Sequence, residues 1–248
     1  MLIRDLLSVL DGAAPFSLAE EWDNSGLLLG DPERELRGAV FCVDLVPGAL
    51  ALALENGANC IVCHHPYIFE PLRRLDFSEG KNRLLERLIK RGVALIACHT
   101  NLDSAPGGIN DVLAELFSLK ETAPIIPSPL FPGAGQGRLG KTDPVSSGEL
   151  LKKAEEIFGV PPRHNGVEKT VRAIALCGGS GADICLSAKA DCVITSEIKR
   201  HMFAAAALEG TLLIDGGHFE TELPGTRAFC ERIKSLVPVP VSMYEAPF

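Results

Sequence analysis

The chain has 248 residues, 46% of them hydrophobic, which is enough to bury a core in one large domain or two lobes and excludes a disordered chain. Its 24 basic and 32 acidic side chains give a formal charge of −8, which excludes a nucleic-acid surface as the main function, because phosphate binding needs clustered Lys and Arg. No run approaches the roughly 18 apolar residues of a membrane span, and Asp5 and Asp11 interrupt the opening apolar stretch, so a cytoplasmic protein is expected.

In chain order, the first predicted strand is GAVFCVD, 38–44. It leads into VPGALALALENGA, 46–58, a helix with Pro near its start and Gly near its end. CIVC, 60–63, is the next strand. KNRLLERLIKRG, 81–92, then sets Leu84, Leu85, Leu88 and Ile89 at helical spacing before a Gly stop, and VALIACH, 93–99, follows as a strand. The Pro- and Gly-rich stretch 123–145 reads as a linker. After it, Ser146 and Glu149 predict a capping box for the helix GELLKKAEEIFG. Three more strands are predicted at VRAIALC (171–177), DCVIT (191–195) and TLLID (211–215).

Short apolar runs alternating with helix-length segments indicate buried parallel strands, so the fold class is α/β. The expected organisation is a first α/β lobe over 1–122, the linker over 123–145 and a second α/β lobe over 146–248. The lobes read as an approximate internal repeat. His99 is followed four residues later by Asp103, and His218 four residues later by Glu222, each pair just past the carboxyl end of a predicted strand. Open α/β sheets place ligand-binding groups there, so a metal site is expected in the cleft between the lobes.

Several motifs compete for attention. CIVCHHP, 60–66, begins with the letters of a haem-attachment or redox dithiol string, but Cys60 and Cys63 flank a buried Ile-Val strand and point to opposite faces. The eight cysteines sit mostly in apolar runs and read as buried thiols rather than disulfides. GQGRLGKT, 135–142, matches the P-loop pattern, yet prolines spoil the strand before it and Asp143-Pro144 delays the helix after it. CGGSG, 177–181, reads as a tight turn, with a substrate phosphate beside Ser180 as the alternative. Trp22, the only tryptophan, reads as a packed anchor before a turn.

His64, His65, His99, His218, Asp103 and Glu222 all fall at strand carboxyl ends. Such a mixed nitrogen and oxygen set suits Zn, Mn, Fe or Co, and a bridging carboxylate suits two divalent ions about 3.5–4 Å apart that activate water. Pro66 ends regular pairing, so both rings of the His64-His65 pair can turn toward one cavity. Glu197 and His201 are candidate cavity-lining catalytic groups, and Lys199 can meet an anionic substrate.

The segments EEWDNSGLLLG, CHHPYIFEPL, ACHTNLDSAPGGINDVLAEL, GRLGK, CGGSG, ADCVITSEIKRH and LLIDGGHFETE resemble, in order, the motifs of the NIF-three-like family of dinuclear metal proteins, the GTP cyclohydrolase 1 type 2 homologues. The likeness is to the short form, which lacks an inserted domain. It implies His64 and His218 on one ion, His65 and Asp103 on the other, and Glu222 bridging, with His99 beside them as a positioning or proton-transfer group. It also implies a homo-hexamer, a trimer of dimers, and either a metal-dependent hydrolase of a nucleotide-like small molecule or a non-catalytic metal-binding or regulatory scaffold. The family pattern TGDIKHH appears here as TSEIKRH, 195–201, with Ser196 in place of Gly and Arg200 in place of His.

Overall fold

Apolar strands that are buried on both faces dictate where the chain divides. In the computed structural model, which describes residues 1–247, one compact unit is Met1–Leu102 together with the stretch from Thr226 onward, and the other is Asp103–Gly225. The division therefore falls elsewhere than the expected 1–122, 123–145 and 146–248, and the first unit takes back the C-terminal stretch.

The first unit holds a five-stranded sheet in the order Gly26–Leu29, Ala94–Ala97, Cys60–Cys63, Ala39–Cys42, Val241–Tyr244. Its last four strands are parallel, and Gly26–Leu29 closes one edge antiparallel. Every residue of Ala39–Cys42, Cys60–Cys63 and Ala94–Ala97 is buried, which is why these strands read as unbroken apolar runs. On one face Val40, Ile61, Cys63 and Leu95 pack with Ala49, Leu50 and Ala53 of helix Pro47–Glu55 and Leu84, Leu85 and Leu88 of helix Gly80–Arg91. Cys60 lies outside that cluster, as alternation along a strand requires. Burial pushes the Cys60 and Cys63 thiols up to about 12, and all eight cysteines are free, so the dithiol reading falls.

The second unit holds a six-stranded sheet in the order Lys120–Ala123, Arg138–Ser146, Thr170–Leu176, Cys192–Thr195, Leu212–Asp215, Arg163–His164. The inner three, Thr170–Leu176 through Leu212–Asp215, are parallel and the flanking strands antiparallel. The expected linker thus carries strands: 123–145 contributes most of the nine-residue strand Arg138–Ser146 to this sheet, and Ile126–Pro127 and Gly135–Gln136 pair as a separate two-stranded sheet. Pro144 is tolerated because the register shifts between the Val145 and Lys141 pairings, a bulge at which no ladder donor is needed. The P-loop letters are split between two strands, and Arg138 is buried with its guanidinium on Asp111 and on the Gly135 and Gly137 carbonyls. Helix Ser147–Phe158 carries the predicted capping box, with the Glu149 amide donating to Ser146 Oγ at 3.3 Å and the Ser146 amide donating to Glu149 Oε2 at 3.1 Å. Among the described residues, no helix is long and apolar enough to cross a membrane.

Leu95 is fully buried in the central sheet of the first unit, whereas Leu208 is 91% exposed. Leu95→Ala is expected to cost about 3 kcal/mol of stability and Leu208→Ala less than about 0.5 kcal/mol, as read from urea denaturation.

Candidate metal centre

The parallel strands of the first unit end where the histidines begin. Past Cys63 the backbone turns toward the neighbouring strand's end, and the amides of His64 and His65 both donate to the Val43 carbonyl, at 3.1 and 3.0 Å. This peeling away before Pro66 puts the two rings side by side, 4.9 Å apart, instead of on opposite faces. His99, just past Ala94–Ala97, brings its ring to 5.2 Å from His64 and 5.5 Å from His65. One donor nitrogen from each of the three lies within 4.8 Å of the others.

Each of these imidazoles is oriented by an oxygen on Nδ1. His64 Nδ1 lies 2.8 Å from the Cys98 carbonyl, which can only accept, so Nδ1 carries the proton. His65 Nδ1 lies 2.9 Å from Asp44 Oδ1, and His99 Nδ1 lies 2.7 Å from Asp23 Oδ1. All three rings therefore present Nε2 as the lone-pair nitrogen, the tautomer that a metal ligand needs. Three such nitrogens drawn together favour a cation between them.

Asp23 is the most elaborately held of these partners. Its side chain is fully buried, and its second oxygen accepts from Thr100 Oγ1 at 2.6 Å, the Thr100 amide at 3.1 Å and Ser25 Oγ at 2.8 Å. Burial pushes its acidity toward the neutral form, but the hydrogen bonds from His99, Thr100 and Ser25 prevail and hold the carboxyl well below the usual range. It is a fixed negative charge behind His99.

In the second unit, His218 opens the helix His218–Lys234, and Glu222 sits one turn later. His218 Nε2 is 3.1 Å from Glu222 Oε1, and His218 Nδ1 is 3.0 Å from Glu197 Oε1. The loop Cys177–Gly181 passes beside this pair. Gly179 adopts φ +61°, and a Cβ there would stand 3.0 Å from His218 Nε2 and closer still to Glu222, so only glycine leaves the space open. The amides of Gly178, Gly179 and Gly181 are taken by Asn110 Oδ1, Thr221 Oγ1 and Thr195 Oγ1, so the loop is a side-chain-braced turn and not a phosphate cradle. The Cys177 thiol is pushed up to about 12 by burial, then by the charges of Asp103 and Glu222.

The family model of DUF34/NIF3, NGG1p interacting factor 3, matches residues 1–246. The chain belongs to the DUF34/NIF3 family. It is 33% identical over 236 residues to a protein of Streptomyces coelicolor named GTP cyclohydrolase 1 type 2 homolog, covering 90% of this chain and 82% of that one. Among solved structures it is similar to a hypothetical protein of Staphylococcus aureus, with TM-score 0.88, 27% identity and coverage of 100% and 98%. It is also similar to reduced HcgD from Methanocaldococcus jannaschii, with TM-score 0.87, 26% identity and coverage of 99% and 98%.

Of the residues singled out from the DUF34/NIF3 motifs, the first unit gathers His64, His65 and His99, and the second gathers His218, Glu222 and Glu197 around a loop that also feels Asp103. His201 is exposed in the first turn of helix Arg200–Leu208. It does not pair with Glu197, because the helix starts only at Arg200 and Glu197, at φ +54°, turns to His218 instead. Sequence reasoning missed the Nδ1 partners Asp23 and Asp44. Asp44 had a signal, an acid two residues past the strand Ala39–Cys42, whereas Asp23 lay in a turn segment without periodicity.

Asp23→Asn keeps the shape but removes the charge on which donors from Asn24, Ser25, His99 and Thr100 converge. A loss of about 2 kcal/mol at neutral pH is expected from denaturant unfolding, with Glu33→Gln, in an exposed pair, changing stability by less than about 0.5 kcal/mol.

Proposed function

We propose that the protein is a dinuclear divalent-metal hydrolase acting on a nucleotide-like small molecule. The observation that carries this reading is the shared state of three histidines: His64, His65 and His99 each give Nδ1 to an oxygen and keep Nε2 as the lone-pair nitrogen, while His218 lies between the carboxylates of Glu197 and Glu222. The family motifs supply the ligand set. His64 and His218 are assigned to one ion, His65 and Asp103 to the other, and Glu222 to both. These nitrogen and oxygen donors fit Zn, Mn, Fe or Co, and the space that Gly179 leaves beside His218 and Glu222 fits an ion there.

When bound, such ions supply Lewis acidity and an activated water. With a purine nucleotide, one water adds across the C8–N9 bond and opens the five-membered ring to a formamide. His99 carries the proton from the attacking water to the departing nitrogen, while Asp23 keeps its ring oriented and steadies the imidazolium. Glu197 orients His218. An open cavity of about 440 Å³ beside His65, lined also by Asp44, Tyr67 and Lys81, gives room for substrate and one positive charge for its anionic part. His201 and Lys199 are exposed and belong to the outer approach. The working assembly is proposed to be the homo-hexamer of the family, in the cytoplasm, and multi-angle light scattering at micromolar concentration is expected to return six chains.

Elemental analysis tests the site, with two ions per chain expected in the wild type and none in His64→Ala combined with Glu222→Ala. Asp44→Asn is expected to weaken metal binding about 10–100-fold without unfolding the protein. Metal-loaded wild type incubated with GTP, other nucleotides and phosphoesters is expected to release product at a rate that the ligand variants abolish. Bound metal with no turnover across that panel would instead make the protein a non-catalytic metal-binding or regulatory scaffold.

A further inference from the structure

Trp22 is expected from the sequence to be a packed anchor, and the structure places it on the surface, 59% exposed. Its position is nevertheless fixed. The next residue, Asp23, is buried and held by Ser25, His99 and Thr100, and Asn24 Nδ2 donates to the Ile68 carbonyl at 2.6 Å. The indole meets two rings: Phe69, 43% exposed, at 5.9 Å and 49°, and the edge of His99 at 6.1 Å and 75°. A large apolar side chain locked in place and turned to solvent is costly to leave bare, so it points to something that covers it.

We propose that Trp22 and Phe69 form a stacking platform for a planar heteroaromatic ring of the substrate, held beside His99. The inference deepens the hydrolase reading above and rests on it. The platform is continuous with the histidine cluster, because His99, which the indole touches, is itself 5.2 and 5.5 Å from His64 and His65. A ring lying on the indole is therefore one side chain away from the ligand nitrogens. Lys81, above the Tyr67 ring at 5.4 Å, borders the cavity that receives the anionic remainder. Asp23 and Trp22 then divide the work within one turn, the first orienting the proton-transfer imidazole and the second placing the ring to be opened. Leu72, Leu75 and Phe77 on the same loop are also exposed, which makes a second copy of this chain the competing occupant.

Because Trp22 is the only tryptophan, its emission reports the platform directly. Metal-loaded protein titrated with guanosine or adenosine is expected to show saturable quenching, and ribose 5-phosphate, which lacks the ring, none. Trp22→Leu is expected to weaken nucleoside binding about tenfold or more by calorimetry, Trp22→Phe to recover most of it, and both to keep wild-type metal content. Undiminished binding by Trp22→Leu, or no nucleoside binding by a protein that holds its metals, overturns the platform alone. Failure of the wild type to hold metal overturns the hydrolase reading and is read separately. Emission that shifts with protein concentration, in step with light-scattering mass, assigns the patch to a second copy and also overturns the proposal.

Discussion

The site depends on one hydrogen-bond arrangement: an imidazole whose Nδ1 faces an oxygen that only accepts. A histidine with both nitrogens free to exchange roles offers a ligand atom only part of the time, and it rotates. The Cys98 carbonyl, Asp44 and Asp23 remove that freedom from His64, His65 and His99 respectively, and His218 is held between Glu197 and Glu222. Asp44 and Asp23 are carboxylates, which also raise the basicity of the opposite nitrogen. The rest of the fold serves to hold such pairs still. Buried strands end in the histidines, and short turns between strand and helix present the acids.

Much of this was legible in the sequence, for a physical reason. A strand buried on both faces has to be apolar throughout, so Ala39–Cys42, Cys60–Cys63, Ala94–Ala97, Cys192–Thr195 and Leu212–Asp215 announce themselves, and the polar residues that follow them stand out by contrast. His64, His65, His99 and His218 were found in that way. Their partners were not, because a hydrogen bond between residues 76 apart, such as Asp23 with His99, leaves no periodic trace. Composition also misled over 123–145. A count of Pro and Gly records missing donors and loose backbone without showing where they fall, and here Pro127 lies in a short strand and Pro144 at a bulge, where the sheet tolerates them.

Local rules are broken at a few positions, and these gather near the histidines. Among the described residues, Glu197 is one of four non-glycine residues at positive φ; Ser118 and Lys189 follow helix ends, where a left-handed turn is ordinary, and Glu121 lies in a strand with a shifted register. Glu197 has no such excuse, and its conformation is what carries its carboxylate to His218. Ser196, beside it, is fully buried and its Oγ has no hydrogen-bond partner among the described residues, although its amide donates to Gly179. Trp22 is the inverse case, an apolar ring outside where folding alone would bury it.

A sequence selected for stability alone would remove all three features. Glycine at 197 would relieve the backbone, alanine at 196 would spare a buried hydroxyl, and a polar residue at 22 would suit the solvent. Each of those changes would also erase chemistry next to an imidazole: the carboxylate behind His218, a hydroxyl beside the turn that passes His218 and Glu222, and an aromatic face against His99. The second unit spends its strain on holding His218, and the first leaves an aromatic ring exposed against the edge of His99.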